Sequence, residues 1–303
     1  MSVARVAVLL AAYNGSRWID EQIDTILLQR DVAVDLFISV DASEDDTLER
    51  CHRRAFLDCR VHVLPGSGGR GSAAANFFHL MDAVPFEGYD LIALSDQDDI
   101  WLPHKLHRAH AQLQATGCEA YSSNVTAFWP GGRKLLLDKA QPQVRYDHFF
   151  EAAGPGCTYV FTHSLAAYIK SRIREQKDAL HDVALHDWYL YATVRASGHA
   201  WHIDSMPTLN YRQHVNNAVG ANVGLRQFLN RYRLVRDGWW YTQIRLIAEL
   251  AGCPPVLGDQ LHKGRRGLVW LSRHAYQCRR RPRDQCYFAI LCLAQAVAGR
   301  VRK

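Results

Sequence analysis

The first 115 or so residues alternate between short apolar runs and amphipathic stretches. Residues 6–11 form a continuous apolar run that stops at Tyr13-Asn14-Gly15. Beyond that turn Ser16 is a plausible helix cap, and Trp18, Ile19, Ile23, Ile26 and Leu27 recur at helical spacing. Residues 36–40 read as a second buried strand, followed by a polar turn and a helix from about Thr47. Residues 61–64 are a third short strand. The glycine-rich segment 66–71 then leads into a helix carrying Phe77, Phe78, Leu80 and Met81. Residues 91–94 make a fourth strand, with a helix beginning near Pro103, a residue tolerated in a first helical turn. Alternation of this kind predicts a mostly parallel, Rossmann-like α/β sheet flanked by helices.

Sheets of this class bind ligands beyond the carboxyl ends of their strands. Three polar clusters fall at those ends: Tyr13-Asn14-Gly15, Asp41-Ala42-Ser43, and Ser95-Asp96-Gln97-Asp98-Asp99. Past Tyr121 the pattern is less regular. Gly154-Pro155-Gly156 opens a strand-like segment at 157–162, with helices starting near Ser164 and near Asp187. Over 225–251 the apolar positions Leu225, Phe228, Leu229, Tyr232, Val235, Trp239, Ile244, Ile247 and Leu250 mark a long amphipathic helix.

Composition narrows the class without deciding it. In 303 residues, 48% are hydrophobic and 22% charged, an ordinary globular balance. Eight cysteines occur with no Cys-x-x-Cys pair, which argues against a zinc or redox framework and suits a reducing compartment. The apolar run at the start is shorter than a signal peptide requires, and no stretch reaches the ~18 apolar residues of a membrane span. Charge is uneven. Residues 260–303 hold eleven Lys and Arg against one acid, Asp284, so the preceding residues carry more acid than base. A basic tail of this kind fits a polyanionic contact. Arg279-Arg280-Arg281 and Arg265-Arg266 lack any accompanying nucleic-acid motif, which leaves an anionic membrane surface or a solvated helical face.

The acidic cluster is the clearest chemical signal. Carboxylates at i and i+2 of an extended chain point the same way and can share one hard divalent ion, Mn2+ or Mg2+, with substrate phosphates completing its shell. The alternative is that Asp98 or Asp99 only caps the following helix. Asp41 reads equally as a turn residue bonding its own backbone, Arg70 as part of a surface turn, and Asp187 as an N-cap.

Ser95-Asp96-Gln97-Asp98-Asp99-Ile100-Trp101-Leu102-Pro103-His104-Lys105-Leu106 resembles the Asp-x-Asp segment of glycosyltransferase family 2. It is especially similar to the branch of rhamnosyltransferases of bacterial surface polysaccharide synthesis. Ala11-Ala12-Tyr13-Asn14-Gly15 and Ile38-Ser39-Val40-Asp41-Ala42-Ser43 resemble that family's first two strand turns. Tyr211-Arg212-Gln213-His214-Val215-Asn216-Asn217-Ala218-Val219-Gly220-Ala221 resembles a distal motif of the same branch.

The resemblance, over residues 4–221, implies a GT-A fold in 1–222, with a nucleotide-binding part to about 115 and an acceptor side over 116–222. A helical, basic extension would occupy 223–303. It further implies that Ala12, Tyr13, Asn14, Asp41, Arg70 and Asp96 contact the nucleotide-sugar. Asp96, Asp98 and His214 would hold the metal. Many relatives carry an acid pair at the second turn, where this chain has Val40-Asp41. His186-Asp187-Trp188 resembles the segment that supplies the catalytic base of inverting members, making Asp187 the base.

The expected protein is therefore a cytoplasmic inverting transferase, peripheral at the inner face of the membrane. It would move a sugar, rhamnose by resemblance, onto a glycan or lipid-linked hydroxyl, with no nucleic-acid partner. A metal-dependent phosphohydrolase or nucleotidyltransferase is the alternative enzyme, and a non-catalytic nucleotide-sugar-binding protein the third reading.

Overall fold

The computed structural model describes residues 3–66, 69–214 and 238–298. Contacts divide the chain into two compact units. One comprises Met1–Ala140, Gly154–Asp187 and His199–Gly220, the other Gln141–Ala153, Trp188–Gly198 and Ala221–Lys303. Two short internal segments, 141–153 and 188–198, cluster with the C-terminal helices.

The first unit opens with β1 (Ala4–Ala12), α1 (Ile19–Leu27), β2 (Val32–Val40), α2 (Thr47–Leu57), β3 (Val61–Val63), α3 (Ala73–Ala83) and β4 (Leu91–Asp96). Next come β5 (Ile100–Trp101), α4 (Lys105–Thr116), β6 (Ala120–Ser123), β7 (Val125–Phe128), β8 (Lys134–Leu137), β9 (Val160–Thr162) and α5 (His163–Glu175). α6 (His186–Ala196), β10 (Trp201–Asp204) and β11 (Leu209–Arg212) follow.

Seven strands form the main sheet in the order β10-β6-β9-β4-β1-β2-β3. β1 runs parallel to β2 and β4, β2 to β3, and β6 to β10, while β9 is antiparallel to both its neighbours. Val6, Ala7, Val8, Leu9 and Leu10 are all fully buried, as a central strand covered on both faces requires. A second sheet, in the order β5-β11-β7-β8, has no counterpart in the strand pattern read from sequence, because its strands are two to four residues long.

Register places the three polar clusters together. Ala12 lies opposite Val40, and Ala11 opposite Asp96, so the carboxyl ends of β1, β2 and β4 are adjacent. Asn76 of α3, buried, donates from Nδ2 to Ser39 O at 3.0 Å, and Gln22 of α1 donates from Nε2 to Ser95 Oγ at 2.7 Å. Buried amides thus tie both covering helices to the strand ends.

Two local expectations change. Ser16 does not cap α1. Trp18 holds the cap position without a side-chain bond, and the Ser16 N–H donates to Asp45 Oδ2 at 3.1 Å. The segment after Gly154 is first a tight turn at Gly156–Thr158, and β9 starts only at Val160. Gly154 (φ +145°) takes a backbone region that favours glycine, and Thr158 N donates back to Pro155 O at 3.0 Å.

The described part of the second unit is helical. α6 enters it at Trp188; α7 (Trp239–Ala251), α8 (Pro255–His262), α9 (Arg265–Arg273), α10 (Ala275–Cys278) and α11 (Pro282–Ala298) make up its C-terminal region. The expected helix over 225–251 is described only from Trp239, and the rest of it lies outside the described residues, as do positions 215–221 of the distal motif. Among the described residues no helix is long and apolar enough to cross a membrane.

In the first unit, the Asp204 carboxylate accepts from Arg108 Nε at 2.6 Å, Arg108 NH2 at 3.0 Å, Tyr121 OH at 2.9 Å and Met206 N at 3.0 Å. Burial raises its pKa, but these donors outweigh burial and hold it below the ordinary value. Replacing it strands a buried tyrosine hydroxyl and an arginine together. Asp204→Ala is expected to cost about 3 kcal/mol of stability, measured by urea unfolding; a loss within ~0.5 kcal/mol contradicts this account.

Candidate active site

The site is built from turns that side chains hold in place of a sheet ladder. Gln97 closes the first turn on β4: its Oε1 accepts from Tyr13 N and its Nε2 donates to Tyr13 O, both at 2.8 Å. A Cβ on Gly15 would sit 2.0 Å from Gln97 Oε1, so only glycine leaves room for this clamp. Asn14, at φ +44°, donates from N to Ser43 Oγ at 3.0 Å and accepts from Glu44 N at 2.8 Å. Gly15 N reaches Thr47 Oγ1 at 2.8 Å. Ala12, Tyr13 and Asn14 thus form one edge stitched to the turn after β2.

Asp41, buried, accepts from Ala42 N at 2.8 Å and Arg70 N at 2.5 Å on Oδ1, and from Gly71 N at 3.1 Å on Oδ2. The self-bonding turn and the role in the neighbouring loop therefore coexist. Three of the roughly four acceptor positions of a carboxylate are filled, leaving one on Oδ2. Arg70 follows its own N–H into the same corner. Its Nε is buried without a hydrogen-bond partner, and burial lowers its pKa against the pull of Asp41.

At the end of β4, ligand atoms of Asp96, Asp99 and Cys157 lie within 4.8 Å of one another. Asp99 accepts from Arg212 N at 3.2 Å on Oδ1, while its Oδ2 is buried with no partner. Burial, then the charges of Asp98 and Asp187, push Asp96 up to about 7. Burial and the neighbouring Asp98 and Asp96 raise Asp99 well above the ordinary carboxylate range. Burial likewise raises the Cys157 thiol well above its usual value, so it stays protonated.

Asp98 takes the other side of this cluster. Its Oδ2 lies 2.6 Å from His214 Nε2, and the His214 ring stacks on Trp18 at 4.2 Å between centroids. His214 arrives there because Asn210 and Leu209 of β11 pair antiparallel with Ile100 and Trp101 of β5, immediately after the acids. Arg212 straps the loop, donating from Nε to Asp98 O at 2.8 Å and from NH2 to Glu21 Oε2 at 2.6 Å. Lys105, fully buried, lies 3.5 Å from the centroid of the Trp101 ring with Nζ lacking any hydrogen-bond partner. Burial pushes it down to about 7, opposed by Cys157 and Asp99.

Asp187 lies in the first turn of α6, one residue inside the helix start and so not at the cap, where its charge suits the positive end of the helix. Its charge is among the causes that raise Asp96, after burial and Asp98. Its backbone O accepts from Tyr159 OH at 3.2 Å. His186 stacks on Phe77 at 4.0 Å, and burial pushes it down to about 3, so it is neutral. A Cβ on Gly156 would lie 2.4 Å from His186 Nε2 and 3.2 Å from Asp187 Cβ. Gly156 is required because the segment bearing Asp187 packs directly against it.

Sequence reasoning missed Gln97, Asp99, Lys105 and Arg212 as parts of this site and gave the Cys157 side chain no chemical role. Asp99 and Gln97 stood inside the acidic motif, and Arg212 inside the distal one, but nothing in a linear pattern shows which of those positions face inward. A cavity of about 390 Å³ lies elsewhere, at the amino ends of β1 and β2, lined by Arg5, Asp35 and Arg60 among others. Its ends carry the Arg5–Asp35 ion pair and no cluster of reactive groups.

The fold is that of a glycosyltransferase, and comparison with known proteins gives the same class. The family described as "Glycosyltransferase like family 2" matches residues 4–153. The dTDP-rhamnosyl transferase RfbG of Shigella flexneri is 41% identical over 285 residues, 94% of this chain and 99% of that one. The Escherichia coli UDP-Glc:alpha-D-GlcNAc-diphosphoundecaprenol beta-1,3-glucosyltransferase WfgD is 24% identical over 162 residues, 51% of this chain and 58% of that one. Among solved structures, S. aureus TarS 1-349 in complex with UDP-GlcNAc has a TM-score of 0.60 at 14% identity, covering 97% of this chain and 81% of that one. The chain belongs to glycosyltransferase family 2, has the GT-A fold, and is a glycosyltransferase. Transfer thereby displaces the phosphohydrolase and binding-only alternatives.

The packing at Gly156 has a direct consequence. Gly156→Ala is expected to move Asp187 and lower kcat about 10²-fold while donor affinity changes only a few-fold. Steady-state kinetics with calorimetric titration of the nucleotide would show it; unchanged kcat means the contact does not position Asp187.

Proposed function

We propose that the enzyme is an inverting glycosyltransferase that uses Asp187 as its general base and moves rhamnose from a thymidine diphosphate donor to an acceptor hydroxyl. The acceptor in this reading is a glycan or lipid-linked saccharide of surface polysaccharide synthesis, and the basic C-terminal region meets an anionic membrane. The donor assignment rests on the 41% identical dTDP-rhamnosyl transferase, matched over nearly its whole length. The observation that supports the mechanism is that Asp187 packs against Gly156, whose neighbour Cys157 has its sulfur within 4.8 Å of ligand atoms of Asp96 and Asp99.

The donor set fits a hard divalent ion. Two carboxylates converge, Asp99 Oδ2 is buried without a partner, and the protonated Cys157 thiol offers a hard cation little. Asp96 with Asp98 or Asp99 would hold Mn2+ or Mg2+, with His214 beside Asp98. Bound there, the ion would offset charge on the departing diphosphate.

This chain's own residues do the rest. Asp41 holds the loop of Arg70, and the guanidinium of Arg70 reaches toward donor phosphates. The edge at Ala12, Tyr13 and Asn14 lines the nucleotide. Asp187 accepts the proton of the acceptor hydroxyl as that oxygen forms a bond to the anomeric carbon. The bond from that carbon to the diphosphate oxygen breaks on the opposite face, so configuration inverts. Residues to about 115 serve the donor in this scheme, and 116–222 the acceptor.

Asp187→Asn is expected to lower transfer about 10²–10⁴-fold while leaving Mn2+-dependent nucleotide binding within a few-fold of wild type. Asp98→Ala is expected to weaken the nucleotide binding itself. Full transfer by a folded Asp187→Asn protein sinks the base assignment.

The cluster also gives a pH dependence with a definite sign. Asp96 is raised from 3.8 to about 7, so the folded chain without cation holds this proton more tightly than the unfolded chain. Stability from this group is present at low pH and falls as pH rises toward 7. Cation binding must release the proton. The rise in Tm produced by MnCl2 is therefore expected to be larger at pH above that value than below it, read by differential scanning fluorimetry. Equal shifts on both sides contradict a carboxylate site.

A further inference from the structure

α11 is apolar on every side. In Pro282–Ala298 the polar side chains are Arg283, Asp284, Gln285 and Gln295 alone. A helix of that composition is normally enclosed by protein or lipid. Here one face is enclosed, with Phe288, Cys292 and Ala296 buried against the rest of the second unit. The opposite face is open: Tyr287 is 61% exposed, Ile290 64%, Leu293 46% and Val297 85%. Cys286 and Ala294 are exposed on the same side. At ~1.5 Å per residue the stripe from Tyr287 to Val297 runs about 15 Å, too short to span a bilayer and long enough to lie in its surface.

The surroundings of the stripe decide what covers it. Arg283 stands at its head on the same face, with its side chain 69% exposed. Lys263, Arg265, Arg266 and Arg273 are exposed on and beside α9, which packs against α11. The sequence past the stripe continues Gly299-Arg300-Val301-Arg302-Lys303. The one acid of residues 260–303, Asp284, is already bonded to Arg283 Nε at 3.3 Å. Not every arginine contributes: Arg280 is buried, donating from NH1 to Asp147 Oδ2 at 3.0 Å. Among the described residues the apolar stripe is nonetheless rimmed by cations at its head and along one flank.

We propose that the outer face of α11 is a membrane-docking surface: Tyr287, Ile290, Leu293 and Val297 enter the headgroup region of an anionic bilayer while the flanking Lys and Arg residues pair with lipid phosphates. A second copy fits less well, because a two-fold pairing of the stripe brings two basic rims together. Apolar insertion combined with basic attraction is how interfacial helices hold a bilayer. The inference extends the charge-based membrane contact proposed above to a specific apolar face, and it does not need the sugar-transfer reading.

The test is flotation of the full chain, without nucleotide-sugar or acceptor, on vesicles of mixed phosphatidylglycerol and phosphatidylethanolamine, with phosphatidylcholine vesicles as control. Wild type is expected to float with the anionic vesicles and about tenfold less with the neutral ones. Ile290→Ser/Leu293→Ser/Val297→Ser is expected to lose about tenfold in binding with an unchanged Tm, since these side chains are exposed. Val297→Ser alone, at the most open position, gives a smaller loss and guards against misfolding of the triple variant. Tyr287→Trp is expected to show a blue-shifted emission on adding anionic vesicles. Flotation of the triple variant equal to wild type overturns the apolar face and leaves charge alone. Wild type that ignores anionic vesicles overturns membrane docking altogether, as does a lipid-free dimer that the triple variant dissolves. None of these outcomes bears on sugar transfer.

Discussion

The structure is organised around a repulsion. Asp96, Asp98, Asp99 and Asp187 crowd one end of the main sheet, and burial there makes each negative charge costly to its neighbours. A chain left to itself would turn such groups outward. This one holds them by supports from distant segments: Arg212 and His214 on β11 and its continuation, Tyr159 on the backbone of Asp187, and Lys105 lying against the Trp101 ring. The residual frustration is expressed in the raised pKa values of Asp96 and Asp99, and it is what a cation would relieve. In the proposed reaction the energy stored in that crowding becomes affinity for the ion and its diphosphate.

Most of those supports act on the backbone rather than on each other. Gln97 grips both polar groups of Tyr13, Asp41 gathers three amide N–H groups, and Ser43 and Thr47 each take one from the first turn. A turn fixed in this way holds its shape without help from a ligand, so less ordering remains to be done when one arrives. Two glycines make the arrangement possible. Gly15 leaves space for the Gln97 amide, and Gly156 lets the His186-Asp187 segment pack directly against it.

The elements of the first 115 or so residues were legible because each strand is a run of buried apolar residues followed by a polar turn, and register alone then gathers those turns. The small second sheet was not legible, since β5 has two residues and β11 four, too few for any period to show. Yet that sheet carries His214 to Asp98. The acids of the site were visible as a motif, but the ordering among them was not. Linear spacing pairs Asp96 with Asp98 at i and i+2, whereas folding brings Asp96, Asp99 and the Cys157 thiol within mutual reach and gives Asp98 to the histidine. Gly156 drew no chemical reading in sequence because its contribution is the absence of a side chain.

A count of charges in sequence misjudges the C-terminal region for a related reason. Arg280 stands in a run of three arginines, yet within its unit it is the most enclosed of them, donating to Asp147 and to Ala152 O while Tyr191 OH donates to the same Asp147 carboxylate at 2.7 Å. Arg279 also turns inward, to Phe150 O. Breaking a buried pair of this kind is costly even when forming it gains little, so its value lies in fixing one arrangement of the segments 141–153, 188–198 and 279–281. Two of the three arginines thus serve the interior, and the basic character of the surface comes from residues the run does not include, on α9 and at the head of α11. The sign of the region survives this redistribution, while its location shifts to the rim of the exposed apolar stripe. Charge placed there can act together with hydrophobic surface, which a solvated arginine cluster could not do.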